Sequence, residues 1–545
     1  MKKTYFLFFL ILGLVVQINA STVYLKTTGD DLNDGLTPET AVATFSQAVK
    51  LANDSEGDVN TIDIEAGEYI HDGLAATLDK VIPNLVIRGE SAMTTIIRKT
   101  GPGRILNAYQ STAKTVTVQD LTFCDTDHSN AFGGAMAFVA DKNTETNEPG
   151  YASLTLERVI FENNKLTSGD GQSHGAALFF RGNQLIVRDC YFKNNQTIKG
   201  PKNNAANGAA VYMRPAELCD SINASFINTT FAGNSSANQA GGVFSDNVVA
   251  PAGERPNSKI KFVNCTFFNN TTAATGDVSG PAMHLLTANE AEKYYFDIQI
   301  VNCTFASNKG DNGSNLITKQ AVAIAGSRCN VQLVNNIFAP HPDNTGETTS
   351  IGANQLSGER IVASNNIIES IHTQITSSYL NDNAEDNQNL IGPREDIFLD
   401  EQLTDDSTPS EFKVPYLRLN EGSKAIDFGV DTYGDPNIVP ASDVRGNLKM
   451  GTSKDLGAFE FDPLGVGVQP LQTDRSNVVY PNPTFTTLMI RAENVQQIDI
   501  FTLNGTHIQD FKNINFIDIS GLNTGIYLIR IHAGDRILME KFSKL

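Results

Sequence analysis

Four residues in the middle of the chain have the types and spacing to hold a sugar. Gly175-Ala176-Ala177-Leu178 and Gly208-Ala209-Ala210-Val211 open two copies of one short pattern. Each copy continues with an aromatic residue and then an arginine: Phe179 and Arg181 in the first, Tyr212 and Arg214 in the second. If the pattern is a strand and Leu178 and Val211 face a core, then Phe179, Arg181, Tyr212 and Arg214 face the other way. Two aromatic faces beside two guanidinium groups suit a sugar ring bearing a carboxylate or a sulfate, because guanidinium pairs bidentately with such anions. Counted from the first glycine of each copy, the aromatic column continues as Ser245 and His284, and His174 and Asp246 fall near the ends of the same strands. Arg181, Arg214 and His284 are the candidate catalytic residues. Phe179, Arg181, Tyr212 and Arg214 are the candidate ligand-binding residues. The competing reading is structural: loops cover this face and the arginines pair with nearby acids.

Other chemistry finds less support. There is no Gly-x-Ser-x-Gly elbow, no phosphate-binding loop and no His-Glu-x-x-His. Paired aspartates of the kind that cleave glycosidic bonds are absent from the repeat strands. A lyase would instead need a base, such as Lys or Arg, beside a calcium-bound uronate. Near the start, Asp30, Asp31, Asn33 and Asp34 form an acidic loop whose oxygens could take Ca²⁺. The loop lacks the alternating EF-hand pattern, and its other reading is an Asx-rich turn before a capping helix.

The elements that would carry these residues repeat. The pattern apolar-x-apolar-x-Asn-x-x-Phe-x-x-Asn recurs, with Phe at 123, 161, 192, 231, 267, 305 and 338, at steps of 31 to 39 residues. Period-two alternation means strands. A spacing this variable suits a β-solenoid, where strands keep register while loops vary. Between the two apolar pairs the chain must bend, at Asp120, Arg158, Asp189, Asn228, Asn264, Asn302, Asn335 and Asn365. Asn suits the bend because it tolerates the left-handed conformation, and its amide can bond to the Asn one turn on. With the Gly-Ala strand this makes three strands per turn, over about nine turns: an all-β, right-handed parallel β-helix. Cys190, Cys265 and Cys303 point inward, and Cys265 and Cys303 are close enough in register either to bridge or to pack as small apolar residues.

Composition agrees with an exported protein. Lys and Arg number 41 against 61 Asp and Glu, a net charge of −20, which argues against a nucleic-acid partner. Lys2 and Lys3, the apolar run from Tyr5 to Val16 and the short residues Asn19-Ala20-Ser21 read as a secretory signal over residues 1–20. No later segment is apolar for long enough to cross a bilayer as a helix, so the mature chain is expected to have no transmembrane span. We expect an N-terminal cap over 21–60, the β-helix over 61–370, a loop excursion and C-terminal cap over 371–461, a linker over 462–477 and a small β-sandwich over 478–545.

Two resemblances add to this reading. Gly-Gly-Ala with Phe161-Glu162-Asn163-Asn164 and Phe192-Lys193-Asn194-Asn195 resembles the repeats of polymorphic outer-membrane adhesins and of pectate-lyase-like β-helix proteins. Tyr480-Pro481-Asn482-Pro483, the run Asp518-Ile519-Ser520-Gly521-Leu522-Asn523-Thr524-Gly525-Ile526-Tyr527 and the basic end resemble the C-terminal sorting domain of the type IX secretion system of Bacteroidetes. The second resemblance implies contact with that secretion machinery through 478–545, and a secreted or outer-membrane surface location in a Gram-negative bacterium. Two functions follow: a non-catalytic binder of polysaccharide or cell-surface glycan, or a polysaccharide lyase or other glycan-degrading enzyme acting on uronate polymers.

Overall fold

The computed structural model describes residues 21–544 except 56–58, 80–83, 111–113, 141–151, 216–220, 247–256, 274–279, 287–295, 312–316, 319, 326–328, 340–348, 355–360, 369–388, 392–395, 435, 449–450, 463–478, 481, 483, 485, 493–494, 503–506, 524 and 534–535. The signal segment, almost all of the linker and most of the loop excursion therefore lie outside the described residues.

Residues 21–461 hold a right-handed parallel β-helix with three sheets, parallel throughout except for the antiparallel pair Lys309–Asp311 and Ile317–Thr318 at the end of the third. The first sheet takes two strand segments from each turn. In one turn these are the two halves of Ala152–Glu162, and in the next they are Gln184–Arg188 and Tyr191–Lys193. The second sheet has nine strands among the described residues, from Ala76–Leu78 to Thr349–Asn354. The third is made of segments as short as Ser235–Ser236.

Identical residues stack from turn to turn because parallel register repeats each side chain about 4.8 Å further on. Phe161, Phe192, Phe231, Phe267, Phe305 and Phe338 form one column, with ring centroids 4.7–5.1 Å apart and planes within 9°. All six rings are buried in one continuous apolar core.

The bends are where the sequence placed them. Asp120, Arg158, Asp189, Asn228, Asn264, Asn302, Asn335 and Asn365 all have φ between 47° and 59°. Asn264 donates to Asn228 Oδ1 at 3.0 Å, and Asn335 to Asn302 Oδ1 at 3.2 Å. A second ladder, of Asn164, Asn195, Asn234, Asn270 and Asn308, lies inside the coil, each amide bonding the next and also a phenylalanine carbonyl. Buried amides pack without penalty only when both ends are satisfied, and here they are.

The helix Phe45–Asp54 is N-capped by Thr44, whose hydroxyl accepts from the Gln47 amide, and it lays Phe45, Ala48, Val49 and Ala52 against the first turns. The segment expected as the C-terminal cap packs along the side of the coil as well as near its last turns. Residues 397–461 run along the flank: Phe412, Tyr416, Leu456 and Phe459 pack with Ile160, Ile337 and Ile367. The Thr230 hydroxyl donates to Pro415 O at 2.6 Å, and the Ala458 amide to Thr304 Oγ1 at 3.0 Å. The reason is visible in the first sheet, whose second segments carry apolar residues on their outer side that water would otherwise meet.

The second compact unit covers 462–545 with a small contribution from 446–448. A three-stranded and a four-stranded antiparallel sheet share a core of Leu488, Ile498, Ile500, Ile517, Ile529, Ile531 and Phe542.

Candidate functional site

The four sugar-site residues do come together on the outer face of the second sheet. Leu178–Arg181 pairs with Val211–Arg214, which sets Phe179 beside Tyr212 and Arg181 beside Arg214. The rings of Phe179 and Tyr212 stack at 5.4 Å and 12°, and Arg214 Cζ lies 5.9 Å from the Phe179 centroid.

Two features of the expectation are corrected. The residue next to Tyr212 is Phe244, not Ser245, and Phe244 is in turn paired with His284. The third copy starts at Ala240 instead of Gly241: Ala240 takes φ +55°, where Gly133, Gly175 and Gly208 take +62° to +79°. A slip of one residue exchanges the two faces of a strand, so Ser245 is inside and Phe244 outside.

The second correction concerns exposure. Phe179, Tyr212, Phe244 and His284 are only 1–3% exposed, and the first three form a small apolar cluster with Val139, Ala240 and Leu286. A covered column cannot stack against a sugar. What remains open is its edge. Phe132 is 41% exposed and stacks on Phe179 at 4.9 Å, while Arg181, Arg214 and Asp246 are half-buried.

Hydrogen bonds assign the protons of Tyr212 and His174 at this edge. The Tyr212 hydroxyl donates to Asp246 Oδ2 at 2.5 Å, and burial with the neighbouring carboxylate holds the phenol far above its ordinary pKa. His174 accepts the Asn207 amide at Nδ1 and meets Gln172 Oε1 through Nε2, so its proton sits on Nε2. Burial, helped by Arg214, lowers its pKa to about 4. His284 is lowered to about 4 by burial, and neither ring nitrogen has a hydrogen-bond partner among the described residues. Phe132, His174, Asn207 and Gln239 each precede the left-handed residue of their turn, a signal that was open to reading in the sequence.

An open groove that sequence reasoning missed lies on the outer face of the first sheet. It has a volume of about 630 Å³ and spans four turns, with Lys259, Lys261, Asp297, Gln299, Asn330 and Gln332 pointing into it. Gln299 donates to Gln332 Oε1 at 2.8 Å, and Asn330 to Asp297 Oδ1 at 2.8 Å. Val263, Val301 and Val334, further along the same strands, are covered by Val439 of the flanking segment. The outward positions of period-two strands carried this signal, alternating as Lys259-Ile260-Lys261 and Gln299-Ile300.

The acidic loop spends its oxygens on the chain. Asp31 accepts from the amides of Ala43 and Thr44 and the Thr44 hydroxyl, all within 2.9 Å. Asp34 accepts from Leu36 N and Thr40 Oγ1, Asp30 from Leu32 N, and Asn33 donates to Ala41 O. These are Asx turns and helix-entry bonds, and among the described residues no three acidic side chains are gathered closely enough to hold a metal ion. Cys190, Cys265 and Cys303 are unbridged buried thiols, with Cys303 Sγ accepting from the Cys265 amide at 3.4 Å.

The chain is thus an exported β-helix followed by a small antiparallel sandwich. Residues 478–544 match the family described as Secretion system C-terminal sorting domain, the domain of type IX secretion, so the protein is secreted or displayed at the cell surface of a Gram-negative bacterium of the Bacteroidetes. Among solved structures, the crystal structure of pectate lyase Pel9A is similar at 12% identity and a TM-score of 0.40, over 82% of this chain and 98% of that one. No curated protein matches the sequence. No helix among the described residues is long and apolar enough to cross a membrane.

Proposed function

We propose that this exported β-helix binds a polysaccharide or cell-surface glycan in the groove on its first sheet, without turning it over. The observation that carries the reading is the contrast between two faces. The aromatic column is covered, whereas the groove is open and presents amides, two ammonium groups, one carboxylate and, in its fourth turn, the apolar Val362. Paired amides bond vicinal hydroxyls well, and the lysines add attraction for an acidic sugar. The repeat of similar side chains over successive turns fits a polymer whose units also repeat. Titrating the full chain with oligosaccharides chosen from a glycan array tests this. Saturable binding weakened about tenfold by Gln299→Ala with Gln332→Ala supports it. Binding unchanged by the pair, or no binding across the array, rejects it.

A second reading rests on the edge of the other face. Half-buried Arg181 and Arg214, on the strands whose Phe179 carries the exposed ring of Phe132, would suit a uronate, and the reading is then a polysaccharide lyase. Its test is the absorbance of unsaturated product on uronate polymers with Ca²⁺. Activity abolished by Arg181→Ala or Arg214→Ala would establish it.

A further inference from the structure

Two cationic side chains near the start of the coil are almost wholly removed from water, and the carboxylate whose charge reaches Lys99, that of Asp72, is itself exposed to solvent. Lys99 is 2% exposed and Arg104 7%. Lys99 ends the strand Thr95–Lys99 on its inward side, and among the described residues its Nζ bonds the Thr100 carbonyl alone, at 2.8 Å. Arg104 donates from Nη1 to Asn107 Oδ1 at 2.7 Å and from Nη2 to His128 Nε2 at 3.3 Å. Neither forms an ion pair among the described residues. An arginine does not shed its proton at any ordinary pH, and an enclosed cation without a counter-charge is costly.

Two imidazoles share the place. His71 lies beside Lys99 on the adjacent strand. Ser46 Oγ meets its Nδ1 at 3.2 Å, while Nε2 is enclosed and has no partner among the described residues. His128 occupies the inward column that Leu166 and Thr197 fill in the next two turns. The positive field is felt by both rings: burial and Lys99 lower His71, and burial, Arg104 and Lys99 lower His128 to about 4. A histidine where the next two turns place Leu and Thr, next to an enclosed lysine and arginine, is a departure that core packing does not explain. The corner Thr100-Gly101-Pro102 beside them is exposed, which gives a way in.

We infer that Lys99, Arg104, His71 and His128 form a binding site for one small inorganic anion, a halide or an oxyanion such as sulfate or phosphate, which neutralises the mouth of the coil. Such an anion would take the N–H groups that Lys99 does not spend on Thr100 and Arg104 does not spend on Asn107, His128 and Tyr109, and complete the charge balance there.

Thermal unfolding of the full chain tests the site, in sodium gluconate and then at equal ionic strength with chloride, bromide, sulfate or phosphate. The expected result is a saturating rise in Tm of about 2 °C or more with at least one small anion, and none with gluconate, which is too large. Lys99→Met should remove that rise while starting from an equal or higher Tm in gluconate, a sign opposite to that of a lysine needed only for packing. Should the variant fail to fold, a bromide-soaked crystal of the unaltered protein decides, with an anomalous peak between Lys99 and Arg104. A rise that never saturates and is shared by Lys99→Met, or a bromide crystal with no peak there, overturns the site.

Discussion

The side-chain amide of Asn195 donates to Oδ1 of Asn234 at 2.9 Å, deep inside the coil, and Asn234 passes the bond on to Asn270 at the same distance. Asn234 also donates to the Phe192 carbonyl and accepts from the Asn195 backbone amide. Asn234→Ala would leave that carbonyl and two donors of Asn195 enclosed without partners. At about 1–3 kcal/mol for each such group, partly recovered by relaxation, the loss should be about 3–5 kcal/mol. Urea unfolding measures it, and a loss under about 1 kcal/mol would mean that the ladder follows the fold without supporting it.

The left-handed column of the second sheet gives a paired experiment. Gly175 sits at φ +74°, and a Cβ there would come within 2.3 Å of the Leu178 carbonyl oxygen. Gly175→Ala should cost about 2 kcal/mol or more. Ala240 already bears the strained conformation, at φ +55°. Ala240→Gly should change stability by less than about 1 kcal/mol, because relief of strain offsets the added freedom of the unfolded chain. Equal costs for the two substitutions would contradict the register that pairs these turns.

The flanking segment should weaken as pH rises through neutrality. Glu460 and Asp455 are pushed up to about 7 and about 6, mainly by burial, with Lys454 pulling the other way. A carboxyl whose folded pKa is raised is stabilised in its neutral form. Its contribution is complete below the unfolded value of about 4.5 and is lost as pH climbs through the folded value near 7. Glu460→Gln keeps the neutral shape and removes that titration. Between pH 5 and pH 8 the unaltered protein should therefore lose on the order of 2 kcal/mol relative to the variant. Parallel pH profiles of Tm for the two proteins would contradict the assignment.

Removing residues 478–545 should block export across the outer membrane while leaving the coil folded. The two units have separate cores, so the truncated chain should keep its β-rich circular dichroism and collect in the periplasmic fraction. Its appearance in the medium in normal amounts would separate the sorting-domain match from the route of export.

The sequence by itself determined the coil. Phe161 to Phe338, the bend column from Asp120 to Asn365 and the Gly-Ala strands could be read because parallel stacking repeats one side-chain environment in every turn, and a repeated environment leaves a repeated residue. Only the tertiary structure decided which outward faces meet water. Phe179 and Tyr212 point out of the coil as alternation requires, but period-two spacing reports the side of a strand and not what lies over that side. Exposure depends on chain distant in sequence, as where 397–461 lies on the flank over Ile160 and Ile367. The slip at Ala240 shows the same limit at short range. A glycine pattern locates a turn, but the residue that takes positive φ fixes the register, and register decides which side chains a ligand can reach.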